Sequence, residues 1–214
     1  MKKAGYIFLL MAAVWAFAGC GTQQAAPEQT EQSTVSAQPE LLAELPAMGP
    51  QLSQWYDAYV APIARSGLLE VSFSEEDTAQ LAALDGKSMQ NLALALYSEE
   101  MHPYYQSGVI PADFLEQVLT QRYPLTAEQV QKSCEELYLP EQGGYTFAAA
   151  MPPSQSRPVL TGSAQQDNGR LELQYTWYLW QPEQEGYQKG SSGVLTVDTS
   201  GEPSRYCSNQ ITSE

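Results

Sequence analysis

The chain is 214 residues long and carries 25 acidic against 10 basic residues, for a formal net charge of −15; that length accommodates one domain with a sizeable core, or one domain and a tether. A surface this negative repels phosphate backbones and anionic headgroups, so nucleic acid is excluded as a natural partner and electrostatics offers no route onto a membrane. Thirteen tyrosines and four tryptophans argue for an ordered core rather than a low-complexity chain.

Lys2 and Lys3 open the chain with positive charge, Tyr6 to Phe17 is almost unbroken apolar sequence, and Ala18-Gly19-Cys20 closes the segment with two small residues and a thiol. The apolar run is too short to span a bilayer comfortably and has the layout of an export signal. Phe17-Ala18-Gly19-Cys20 resembles the lipobox of bacterial lipoproteins. That resemblance implies a signal peptide over residues 1–19, diacylglycerol on the Cys20 thiol, and a lipid anchor on the extracytoplasmic face of the cell membrane. Two or three acyl chains hold durably, since each buried methylene adds about 0.8 kcal/mol. With Lys2 and Lys3 removed, eight basic residues face 25 acidic ones, a net charge of −17.

Residues 20–48 read as the lipidated cysteine and a disordered tether. Gly21 to Glu40 is rich in Gln, Thr, Ser, Ala, Pro and Glu and buries too little apolar surface to offset the entropy of ordering. As a coil it spans some tens of Å, on a scaling of about 5–6 Å times the square root of residue number. Leu41, Leu42 and Leu45 are more apolar and suit docking onto the domain at 49–214.

Within that domain Leu52, Trp55, Tyr56, Tyr59, Val60 and Ile63 form one helical stripe, interrupted near Pro62. Ser74 with Asp77 has the form of a cap for a short helix through Leu81 and Leu84, closed by Asp85-Gly86. Met89, Leu92, Ala93, Leu96 and Tyr97 form the next stripe, which should stop at His102 because Pro103 follows. Pro111 suits a first helical position ahead of Phe114, Leu115, Val118 and Leu119, and Tyr123-Pro124 ends that helix. Thr126 with Gln129 is a capping box, Leu125 and Val130 fit the accompanying staple, and the helix turns Cys134 inward. Cys134 and Cys207 are the thiols left besides Cys20; export permits a disulfide between them, but two separate buried thiols are the reading that common cysteine behaviour favours.

After Gly143-Gly144 the periodicity changes. Residues 158–165, 171–180, 193–198 and 204–211 read as strands, Asp167-Asn168-Gly169 as a hairpin turn, and 181–192 as a polar loop. Leu171, Leu173, Tyr175, Trp177 and Leu179 alternate with polar residues until Tyr178 and Trp180. Helices first and an antiparallel four-stranded meander second make an α+β domain with helices on one sheet face. This order resembles the curved cone of the nuclear transport factor 2-like superfamily. The stretches Ile110-Pro111-Ala112-Asp113-Phe114, Tyr123 to Gln129 and Tyr206 to Ile211 are also similar to uncharacterised lipoproteins of gut-type Gram-positive bacteria, a resemblance that implies no particular activity.

Chemistry-bearing motifs are sparse. His102 is the single histidine, which rules out a two-histidine zinc motif within one chain, and no nucleophile elbow is present. Glu99, Glu100 and His102 lack a metal-ligand spacing. No phosphate loop or calcium loop occurs, so no cofactor, metal ligand or catalytic residue is assigned. Acidic residues sit at helix starts, where negative charge is favourable, or on a solvated face at Glu135-Glu136. What remains is aromatic: Tyr175, Trp177, Tyr178, Trp180 and Tyr187 cluster around one strand and its loop, as a lined concave sheet for an apolar or sugar-like ligand or as core and hairpin support. The expectation is a non-enzymatic binding domain whose partner is an extracellular protein, glycan or small ligand. The alternatives are a carboxylate-dependent hydrolase of extracellular polymer, which needs two acidic groups converging about 5–10 Å apart, and a structural envelope protein.

Overall fold

The computed structural model describes residues 41–151 and 153–212; the signal segment, Cys20 and the tether through Glu40 lie outside the described residues. Leu41–Leu42 form β1, a short strand paired against a later one at Tyr187 and Gln188, so the folded domain reaches back into the stretch assigned to the tether. Helix α1 (Pro50–Trp55) opens on a proline whose missing N–H is not needed in the first turn. It continues as a π-turn, Tyr56–Val60, that brings Val60 and Ile63 into the core.

Ser74 does not open the next helix. Its Oγ accepts from the Asp77 N–H (3.0 Å), Asp77 Oδ1 accepts from the Ala79 N–H (3.0 Å), and α2 (Ala79–Ala82) begins one turn later than the spacing suggests. Asp85 likewise caps the following helix rather than only closing this one: its carboxylate accepts from the Ser88 N–H at 2.8 Å at the start of α3 (Gly86–Leu96). The break expected at His102 falls earlier, at Tyr97, and α4 (Ser98–Ser107) contains Pro103. The proline removes a bond to the Glu99 carbonyl, which lies in the exposed first turn where water can replace it.

Next come β2 (Val109–Pro111), α5 (Ala112–Arg122) and α6 (Ala127–Ser133). Pro111 is the N-cap of α5 rather than its first residue. The capping box on α6 is complete, with Gln129 N–H to Thr126 Oγ1 at 3.2 Å and Thr126 N–H to Gln129 Oε1 at 2.8 Å, and Leu125 and Val130 are both buried. Two short strands, β3 (Tyr138–Leu139) and β4 (Gly144–Thr146), join β2 in a small antiparallel sheet of order β2-β4-β3 that has no counterpart in the periodicity of the chain. Gly144 is required there, because a Cβ would run into the Ile110 carbonyl. Buried Gln90 steers the exit: its amide donates to the Thr146 carbonyl (2.9 Å) and its Oε1 accepts from the Ala149 N–H (3.0 Å).

The large sheet is the expected meander: β5 (Arg157–Gln165), β6 (Arg170–Gln181), β7 (Gly186–Asp198) and β8 (Arg205–Thr212), each antiparallel to the next. In the β5–β6 turn Gly169 alone takes the left-handed conformation, φ 82°, and its N–H donates to the Gln166 carbonyl at 3.1 Å, a three-residue loop with a glycine bulge. The loop expected over 181–192 is not a loop. Only 182–185 turns, and 186–192 extends β7 between β6 on one side and β1 on the other. Its glycines, serines and glutamine hide the alternation, and pairing on both sides makes it a strand nonetheless. Helical residues Val60, Ile63, Leu81, Met89, Leu92 and Leu115 share one core with Leu160, Leu171, Leu173, Leu195, Val197 and Tyr206 of the sheet. The α+β architecture with helices N-terminal and strands C-terminal is therefore as expected.

Candidate functional site

The aromatic cluster read from the sequence does not form one site. Tyr175 is 1% exposed and its hydroxyl is used internally, donating toward the Leu69 carbonyl (3.1 Å) and Asn209 Oδ1 (2.9 Å). Trp177 lies half-buried against the same core. Thr176 pairs with Ser192 and Tyr178 with Lys189, so the extra residue of this bulge lies on β7 and β6 keeps its alternation. Tyr178 and Trp180 therefore project from the face opposite Tyr175 and Trp177. Trp180 stands across from Tyr187, the rings edge to face with centroids 4.9 Å apart. These side chains are core and hairpin support, divided between two faces.

A cleft of about 1120 Å³ opens elsewhere, between the start of α5, α6 and the small sheet, lined by Asp113, Glu116, Glu128, Gln131, Lys132, Glu135, Tyr138 and Tyr145 among others. Local structure fixes each wall. The Ala112 N–H donates to the Gly143 carbonyl at 3.1 Å, tying the first turn of α5 to the loop before β4, where Gly143 turns the chain with φ 60°. One turn on, Glu116 reaches the floor. Tyr138 and Tyr145 face each other across β3 and β4, ring centroids 5.5 Å apart and inclined by 59°. Tyr145 is buried, whereas Tyr138 is 44% exposed and presents its ring to the opening.

Glu116 is the best-anchored polar group in this cleft. The Tyr145 hydroxyl donates to its Oε1 (3.1 Å) and the Gln131 amide donates to its Oε2 (3.0 Å), so both oxygens act as acceptors and the side chain is held in place. Its charge is felt nearby. Burial first and the Glu116 charge second push the Cys134 thiol up to about 12 and carry the Tyr145 hydroxyl well above its ordinary value. Asp113, Glu128 and Glu135 stand exposed around the rim with Lys132 as the one cation among the lining side chains, so the cleft is strongly negative. Among the described residues, no three His, Cys, Asp or Glu side chains are grouped to hold a metal ion.

A second cleft of about 790 Å³ lies across α6, lined by Asp85, Lys87, Lys132, Ser133 and Glu136 and floored by small side chains of α2. Its charges are mixed and it has no aromatic wall. Cys134 and Cys207 are free, buried thiols, so the structure contains the two separate cysteines rather than the bridge. Cys207 is the extra residue of the bulge between β7 and β8, with burial as the main cause of its raised pKa. His102 is exposed on α4 with Glu99 and Glu100. The signal that could have pointed to the cleft is modest: Asp113 and Glu116 at i and i+3 on α5, and Glu128 and Gln131 at i and i+3 on α6, with Glu135 just beyond it. No family model, no curated protein and no solved structure matches the chain.

Proposed function

We propose that the chain is a lipid-anchored extracytoplasmic lipoprotein whose α+β domain binds a ligand, without chemistry, in the cleft between α5, α6 and the small sheet. The observation that carries the binding half is the pairing of an exposed aromatic ring, Tyr138, with a fixed carboxylate, Glu116, in a concavity of ligand size. The anchor half rests on the Lys-apolar-Ala-Gly-Cys layout of residues 1–20. A hydrolase on carboxylates needs one carboxyl kept protonated as the acid. Both Glu116 oxygens are taken up by the Tyr145 and Gln131 donors, which suits a fixed binding group better than a proton-transferring one.

Metabolic palmitate labelling of the full chain tests the anchor: label on the natural chain and none on Cys20→Ala is expected, and label retained by Cys20→Ala refutes it. For the cleft, a ligand panel read by thermal shift should give shifts that Tyr138→Ala abolishes while leaving the melting of the free protein within about 1 kcal/mol, the range for an exposed edge residue. Shifts that survive Tyr138→Ala place the ligand elsewhere.

A further inference from the structure

The cleft's charge pattern says more about its ligand than its shape does. Its carboxylates are distributed rather than convergent: Asp113 and Glu116 are on α5, Glu128 is in the first turn of α6, and Glu135 opens the 3₁₀ turn after Cys134. A divalent cation needs its oxygens at one point, and no such grouping exists among the described residues. An anion meets repulsion from every side but Lys132. The rings supply what remains. Tyr138 offers an exposed face beside Glu116, and aromatic faces attract ammonium and guanidinium groups and pack against methylene chains.

We infer that this cleft takes an organic polycation, a flexible apolar chain bearing two or more ammonium or guanidinium groups, with one head on Glu116 and Tyr138 and another on Glu128 or Glu135. The inference rests on the cleft being the binding site. Free polyamines and basic side chains of a peptide share this chemistry. Spermine represents the first source, and the peptide acetyl-Lys-Gly-Gly-Lys-amide the second.

The test is titration calorimetry on the full chain at low and physiological salt. Saturable binding of spermine or the peptide is expected, and whichever binds more tightly identifies the source. Glu116→Gln and Glu135→Gln should each weaken it about fivefold or more, Tyr138→Ala about threefold, and Lys132→Gln should tighten it about twofold, since the removed charges lie within a few Å of the ligand. Glu99→Gln, exposed on α4, is the control for net charge and should change affinity less than about twofold. Equal losses from Glu99→Gln and Glu116→Gln would reduce the effect to bulk counter-ion association and overturn the inference, as would displacement by stoichiometric magnesium. Absence of binding by both cations, with a neutral oligosaccharide such as cellotetraose binding in a Tyr138-dependent way, overturns the cationic ligand and leaves the cleft standing. If cations, sugar and a matched acidic peptide are all insensitive to Tyr138→Ala, the cleft falls as well.

Discussion

Gly193→Ala should be the most informative single change in the large sheet, because it tests where the Tyr175 ring lies. Gly193 stands directly across from Tyr175 in the β6–β7 ladder. A Cβ at Gly193 would lie 2.5 Å from Tyr175 Oη, 2.6 Å from Cζ and 2.9 Å from the Gln210 carbonyl oxygen. The ring cannot simply swing aside, since its hydroxyl is held by the Leu69 carbonyl and by Asn209, whose amide in turn donates to the Val71 carbonyl at 2.9 Å. Overpacking a filled core costs about 1–3 kcal/mol, and displacing the hydroxyl loses up to two buried hydrogen bonds at about 1 kcal/mol each. The expected loss is therefore about 3 kcal/mol, or about 6–12 °C in Tm for a domain of this size. Urea denaturation with an unchanged m-value is the readout. In a Tyr175→Leu background the side-chain clash is gone and only the Gln210 contact remains, so Gly193→Ala should cost at least about 1 kcal/mol less there. An additive double-mutant cycle would refute the reasoning. The ring would then not lie over Gly193, and Tyr175 would be free to serve a ligand.

Other consequences can be measured on the same variants. Thr126→Ala removes one half of the α6 capping box and should cost about 1 kcal/mol in urea denaturation; a loss under about 0.3 kcal/mol would mean that tertiary packing alone holds the helix start. Cys134 and Cys207, both buried with pKa values pushed up, should resist iodoacetamide at pH 8 in the folded protein and react fully in denaturant; an intact mass two hydrogens short under non-reducing conditions would indicate a bridge instead. Alkaline stability follows from the same shifts. The folded Cys134 thiol titrates near 12 against 9.0 when free, and the folded Tyr206 hydroxyl near 12 against 10.0. The unfolded chain therefore releases protons first, and stability should fall from about pH 9 toward pH 12. Cys134→Ala should reduce the loss, leaving the part supplied by buried Cys207 and the tyrosines, and an undiminished loss in that variant would place the Cys134 thiol in water.

Much of the fold was legible because its determinants are local. Thr126 and Gln129 are three residues apart and satisfy each other regardless of what surrounds them. Leu171, Leu173 and Tyr175 alternate with polar partners, so strand and facing are both readable. The misreadings share a cause, which is context from outside the segment. Pro103 usually ends a helix, but solvent takes over the carbonyl bond it removes from the exposed first turn of α4. Residues 186–192 have a loop's composition and become strand because β1 and β6 pair with them from both sides. Trp177 and Tyr178 were grouped because they are adjacent in sequence, and adjacency on a strand is what puts them on opposite faces.

The cleft was illegible for a related reason, and its position follows from where the fold has short elements. A large sheet face covered by helices has to be filled, and here it is filled down to the Tyr175 hydroxyl, which leaves no concavity to line. Space remains where α6 ends after seven residues and a two-residue strand replaces further helix. There Glu116 meets Tyr145 from 29 residues away and Gln131 from 15. Each of those carboxylates, taken singly, reads as favourable charge at a helix start or as a solvated face. Only the fold brings them around one cleft, and among them it is Glu116 whose charge, after burial, raises the Cys134 and Tyr145 values. Glu116, Glu128 and Glu135 repel one another in the empty cleft. A bound cation relieves that repulsion, so the cleft's negative charge favours a positively charged guest.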